Sequence, residues 1–325
     1  MPLALPLDAH LHTDLSPDAD VPLDMYAARA RELGVAELAI TDHVDFVAGD
    51  PAYHFADYDR RVRMVREAAE RWGAEPAIRL GLEVSYERAV EDEIADYLAH
   101  HRYDYVIGSV HMSQRGPFRE RKTAAAWCAG KTLRQATAFY FDEVEGAIRS
   151  GLFDTIGHLD MVKRYTQPHL GPFGYERHAD IYDRLLVALV DTGTALEVNA
   201  SGLRQEAGEP YPAPAVVARF RELGGERVVA GSDAHRVEQF SFGLPAMYRA
   251  IERAGFRELS FRRGGDRVAI ELPTDLAAAL ASAGDPGDRR PGAGHPGAGN
   301  PGSGHPGAGN PCDRLSGILV EETDA

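Results

Sequence analysis

The chain has 325 residues, 44% of them hydrophobic and 26% charged, with a formal net charge of −15. That length accommodates one large α/β domain with ample core, and the acidic balance argues against a nucleic-acid surface, which would show clustered Lys and Arg. The two cysteines, Cys128 and Cys312, share no close-spaced motif. They read as thiols in a reducing compartment and not as a disulfide framework. The opening "MPLALPLDAH" lacks a basic segment and is broken by proline, so no signal peptide is expected, and no stretch approaches the roughly 18 apolar residues of a membrane span. A cytoplasmic protein with no membrane partner is expected.

In chain order, short β-type runs alternate with longer helical ones. The predicted strands are "PLDAHLH", "ELAITDH", "AIRLGLEVSY", "DYVIGSVHM", "FDTIGHLD", "TALEVNAS" and "RVVAGSDAH". Between them lie amphipathic helices such as "LDMYAARARELG", "YDRRVRMVREAAERWG", "TLRQATAFYFDEVEGAIRSG", "ERHADIYDRLLVALVDTG" and "APAVVARFRELGG", several ending at glycine as helix C-termini prefer. Regular β-then-α alternation implies parallel strands joined by right-handed crossovers. Seven such units predict a closed or nearly closed barrel, with a doubly wound open sheet as the alternative. The stretch "RRPGAGHPGAGNPGSGHPGAGNPC" has almost no large apolar side chain and cannot offset the entropy of ordering itself. A structured domain over residues 1–283 and a disordered Gly/Pro-rich tail over 284–325 are therefore expected. His295 and His305 inside the repeat read as incidental.

The C-terminal ends of the predicted strands carry side chains of one chemical kind. They are His10 and His12, His43, Glu83, His111, His158, and Asp233 with His235. In parallel α/β barrels functional groups gather on that rim, so residues scattered in sequence should converge there. Any one of these histidines alone would more often be a hydrogen-bonded or surface residue than a ligand. Together they point to a polynuclear metal site.

The stretches "HLHTDLSPD", "ITDH", "GLEVSY", "VIGSVHM", "IGHLDMVKRY", "EVNASGLR" and "GSDAH" resemble, in order, those of the PHP (polymerase and histidinol phosphatase) family, in particular its histidinol-phosphatase branch. The resemblance implies a distorted, TIM-like seven-stranded β/α barrel and three divalent ions of Zn, Mn or Fe. It implies that His10, His12, Glu83 and Asp233 hold one ion, and that Glu83 bridges to a second taken by His111 and His158. Asp18, His43 and His235 would hold the third. Asp18 stands where some relatives have histidine, and an oxygen ligand there favours harder ions slightly. Asp14 is left with a turn or cap role.

Divalent ions bridged by a carboxylate can generate hydroxide near neutral pH and hold phosphoryl oxygens, which is the machinery of phosphate-ester hydrolysis by in-line attack of a metal-bound hydroxide on phosphorus. No phosphate-binding P-loop and no GxSxG elbow is present. Asp233 and Glu83 are the candidate catalytic carboxylates. Arg164 and Arg204 follow strand ends and are candidate phosphate donors, since a planar guanidinium suits a phosphomonoester dianion. Arg115, Arg119, Arg121 and Lys122 form a lid or a solvated face. The resemblance narrows the substrate to L-histidinol phosphate, hydrolysed in L-histidine biosynthesis. A PHP phosphoesterase acting on nucleotides or another small phosphate is the alternative, and a non-catalytic PHP scaffold a further one.

Overall fold

The computed structural model describes residues 5–111, 121–273 and 276. The barrel begins with β1 (Asp8–Leu11), α1 (Leu23–Leu33), β2 (Glu37–Ile40), the two-residue β3 (His43–Val44), α2 (Tyr58–Trp72) and β4 (Ala77–Ser85). It continues through α3 (Glu91–His100), β5 (Tyr105–Ser109), α4 (Arg121–Cys128), α5 (Leu133–Ser150), β6 (Thr155–Ile156), α6 (Lys163–Leu170), α7 (Tyr175–Thr192) and β7 (Ala195–Asn199). It ends with α8 (Pro214–Glu222), β8 (Val228–Gly231), α9 (Leu244–Arg253) and the hairpin β9 (Glu258–Arg263) and β10 (Asp266–Glu271).

Parallel strands follow one another in the order β1-β2-β4-β5-β6-β7-β8, and β3 pairs beside the end of β4. Between β8 and β1 the ladder shrinks to one parallel bridge, Leu11 to Ala234. The backbone hydrogen bonds His12 N to Ala234 O and Asp233 N to His10 O, each 2.9 Å, complete that seam. The seven predicted strands thus form a nearly closed barrel, and the open-sheet alternative is set aside. The hairpin and helices α3, α4, α6 and α9 were not singled out from the sequence.

Both faces of the barrel strands are buried, but by different residue types. On β1, Ala9 and Leu11 alternate with Asp8 and His10, all fully buried. The apolar set packs under the helices while the polar set shares the opposite, inner face, because side chains two apart on a strand lie on one side. Helix ends are punctuated locally. Thr132 and Gln135 form a reciprocal capping box on α5. Gly151 and Gly193 end α5 and α7 in the left-handed region, where a side chain would be strained.

The β9–β10 hairpin covers the mouth at the strands' N-terminal ends. Arg263 and Arg79 both pair with the buried Glu37 at the start of β2, and Arg262 pairs with Asp154 just before β6. Phe261 packs on Tyr105 at the start of β5, ring centres 4.7 Å apart. With that end covered, chemistry is left to the opposite rim.

Candidate metal centre

All nine predicted ligands meet at the C-terminal rim. His10 lies on β1, His12 just past it, and Glu83 near the end of β4; their atoms form one tight group. His10 Nε2 is 3.1 Å from His12 Nε2 and 3.2 Å from Glu83 Oε2, and His12 Nε2 is 3.3 Å from the same oxygen. Asp233, past β8, brings Oδ1 to 3.8 and 3.5 Å from the two imidazoles. The other Glu83 oxygen faces a second pair: Oε1 is 3.1 Å from His111 Nε2 and 3.0 Å from His158 Nε2, themselves 3.1 Å apart. Around Asp18 Oδ2 stand His235 Nε2 at 3.2 Å and His43 Nε2 at 3.6 Å. His43 also turns Nδ1 to Glu83 Oε2 at 3.2 Å, so Glu83 touches all three groups.

These spacings have a direct chemical reading. Two neutral imidazole lone pairs repel at 3.1 Å unless a cation or shared proton lies between them. Ligand atoms about 2.0–2.1 Å from an ion, at the corners of a tetrahedron, stand about 3.3 Å apart. Glu83 Oε2 and His43 Nδ1 are moreover buried with no hydrogen-bond partner, a cost that an ion would remove. The donor set, imidazole and carboxylate, suits Zn, Mn or Fe. The residues therefore fit a polynuclear divalent-metal centre.

Electrostatics agree. Burial alone would lower the pKa of His12, but Asp233 and Glu83 outweigh it and raise it to about 10. Burial likewise opposes charge on His111, which Glu83 and Asp45 nonetheless push up to about 9. Burial disfavours the charged form of Glu83, yet His10, His111 and His43 hold its carboxyl well below the usual range. Without metal, the carboxylates recruit protons as their counter-charge.

Several partners behind the ligands were missed from sequence. Glu197, on β7, accepts from His10 Nδ1 at 2.6 Å, and its other oxygen accepts from the His158 backbone N–H at 2.7 Å. Ser85 Oγ touches His111 Nδ1 at 2.8 Å, and Ser16 Oγ touches His12 Nδ1 at 3.2 Å while donating to Asp42. Strand parity could have found Glu197, since it shares a face with Asn199 inside a run of buried residues. Gly231 makes room here: a Cβ on it would lie 2.3 Å from His10 Cβ and 2.8 Å from Glu197 Oε1. Two of the predicted ligands sit in the left-handed backbone region, His158 at φ 21° and Asp233 at φ 55°, strain of the kind that clusters at functional sites.

The two arginines differ. Arg204 donates to the carbonyls of Ser232 and Asp233 at 3.0 and 2.9 Å, clasping the strained turn that carries Asp233. Arg164 is half-buried, its guanidinium 5.6 Å from the Tyr165 ring centre and its Nε buried without a hydrogen-bond partner. Asp14 is exposed within the turn after β1 and caps no helix, since Pro22 precedes α1. Arg115 and Arg119 lie outside the described residues, as do the side chains of Arg121 and Lys122, His295, His305, Cys312 and the whole 284–325 tail.

A family model for the PHP domain matches residues 8–201. A protein named probable histidinol-phosphatase from Deinococcus radiodurans is 33% identical over 263 residues, which cover 78% of this chain and 96% of that one. The histidinol-phosphatase of Lactococcus lactis subsp. lactis is 24% identical over 78% of this chain and 93% of its own. Among solved structures, the histidinol phosphate phosphatase of Lactococcus lactis subsp. lactis Il1403, complexed with Zn, L-histidinol and phosphate, superposes with a TM-score of 0.72 at 22% identity. It covers 81% of this chain and 98% of its own, a likeness of fold. Among the described residues, no helix is long and apolar enough to cross a membrane.

Proposed function

The chain belongs to the PHP domain family, and on that premise we propose that it is a metal-dependent phosphoric monoester hydrolase, a histidinol-phosphatase converting L-histidinol phosphate to L-histidinol and phosphate. The observation that carries the chemistry is Glu83, whose two oxygens face separate pairs of imidazoles, as a carboxylate shared by two ions must. The names of relatives aligned over nearly their whole lengths support the substrate.

Three divalent ions are assigned to these ligands: one to His10, His12, Glu83 and Asp233, one to Glu83, His111 and His158, one to Asp18, His43 and His235. Such ions, when bound, lower the pKa of water and polarise phosphoryl oxygens. The protein's own groups do the rest. Arg164, whose Nε is buried without a hydrogen-bond partner, is the guanidinium that grips the phosphate. Arg204 retains N–H groups beyond the two on the carbonyls. Glu83 is buried while the Asp233 side chain keeps 11% of its surface open, so of the two candidate catalytic carboxylates Asp233 is the one nearer the open rim.

The net charge of −15 supports a small-molecule substrate over nucleic acid, and a place in the cytoplasm fits a biosynthetic role in making histidine. A panel of phosphate esters assayed with purified protein tests the reading. L-histidinol phosphate is expected to give the highest kcat/KM, with activity lost to a chelator and restored by Zn or Mn. Preference for a nucleotide would replace the substrate assignment, and full activity in metal-free protein would end the metal mechanism.

A further inference from the structure

We propose that Glu197 is a positioning residue common to two ions: it sets the tautomer of His10 for one and pins the strained backbone of His158 for the other. This rests on the metal-centre reading above.

Glu197 is fully buried on β7. Its oxygens meet three nitrogens: His10 Nδ1 at 2.6 Å, His158 N at 2.7 Å and Asn199 Nδ2 at 3.0 Å. The backbone N–H and the Asn199 amide both donate to Oε2, and the Oε1 of a carboxylate can only accept, so His10 carries its proton on Nδ1. The lone pair of His10 is then on Nε2, the atom 3.2 Å from Glu83 and 3.1 Å from His12. A carboxylate behind a ligating imidazole also raises its basicity toward the metal.

The second oxygen acts on backbone. His158 sits at φ 21°, a conformation that persists only when surrounding contacts hold it. Glu197 Oε2 takes its N–H, and Tyr140 reaches its carbonyl at 3.4 Å. The ring then projects Nε2 to 3.0 Å from Glu83 Oε1. One side chain thus supports ligands on opposite sides of the Glu83 bridge. The barrel keeps space for it at Gly231, where a Cβ would stand 2.8 Å from Oε1.

Glu197→Gln is the sharp test, because it preserves shape and removes one acceptor. A single amide oxygen cannot serve both His10 and His158. The backbone N–H cannot reverse, so the amide NH2 is expected to face His10 and drive it to the Nε2–H tautomer. Chelator competition on the full chain should show the His10 ion weakened roughly ten- to a hundredfold in the Gln variant. In Glu197→Ala both the His10 and His158 ions should weaken. Ser85→Ala, which removes a partner of His111 and of no other predicted ligand, should weaken one.

A measurement needing no variant stands beside these. In wild-type protein loaded with zinc and 15N-labelled at histidine, His10 is expected to be protonated on Nδ1 and ligated through Nε2. Wild-type metal affinity in Glu197→Gln, or the reverse His10 assignment, overturns the proposal. Failure of wild-type protein to bind any of the ions would overturn the metal-centre reading itself.

Discussion

Arg164 and Arg204 leave similar strand ends yet meet different surroundings, and their replacements should fail differently. The Nε of Arg164 has no hydrogen-bond partner and the residue is not a predicted ligand, so Arg164→Met should keep its metals. It should lower kcat/KM for L-histidinol phosphate by roughly ten- to a thousandfold, the worth of a charge-assisted phosphate contact that strengthens in the transition state. On a bis-ester, which carries one fewer charge, the loss should be smaller. Arg204 instead clasps the carbonyls of Ser232 and Asp233, so Arg204→Met should lose metal as well as turnover. Metal content measured beside kinetics separates the two; equal metal loss in both variants would contradict the division of roles.

At the level of elements, the weak point of the barrel is the seam between β1 and β8, where the ladder is a single bridge. The buried Asp8 side chain substitutes for the missing pairs, accepting from Ser232 N at 2.9 Å and Ser241 N at 3.2 Å. Asp8→Ala would strand two buried N–H groups, each costing about 1–3 kcal/mol. Urea unfolding of the metal-free variant should show that loss in the midpoint with little change in slope. A midpoint equal to wild type would mean that the seam holds without Asp8. The seam matters to the site because His10 and His12 come from one side of it and Asp233 from the other.

The whole molecule exchanges protons for metal. In the metal-free fold the His12 pKa is raised from 6.5 to about 10 and that of His111 to about 9, since nearby carboxylates outweigh burial. A raised histidine pKa stabilises fully below 6.5, and the contribution is lost as pH climbs through the folded value. The Tm of chelator-treated protein is therefore expected to fall between pH 7 and 10, whereas metal-loaded protein, whose carboxylates face ions, should lack that loss. Parallel melting curves across this range check it; identical profiles would refute it. On composition, a chain ended after Ala283 should fold and turn over normally, because the removed Gly/Pro repeat offers little to bury. A marked drop in Tm would show that Leu315, Ile318, Leu319 and Val320 contribute to the fold.

The barrel was legible in the chain because seven apolar runs alternate with helical ones, a local pattern imposed by strand and helix periodicity. Most of the predicted metal-binding residues were legible for the same reason: His10, His12, His43, Glu83, His111, His158, Asp233 and His235 sit at or just past strand ends, whereas Asp18, in the loop after β1, was implied only by the family resemblance. The pairing of Glu197 with His10 was not, because the two lie 187 positions apart and nothing near either residue announces it. The same holds for Arg204, which reads as a free cation in "EVNASGLR" until the β8 turn supplies carbonyls for it. Which groups reach the rim is thus written in strand periodicity and residue type, which are local. Which of them face one another, and which side chains hold the ligands in place, depends on closing the barrel, since only that brings β7, β8 and β1 together around a shared interior.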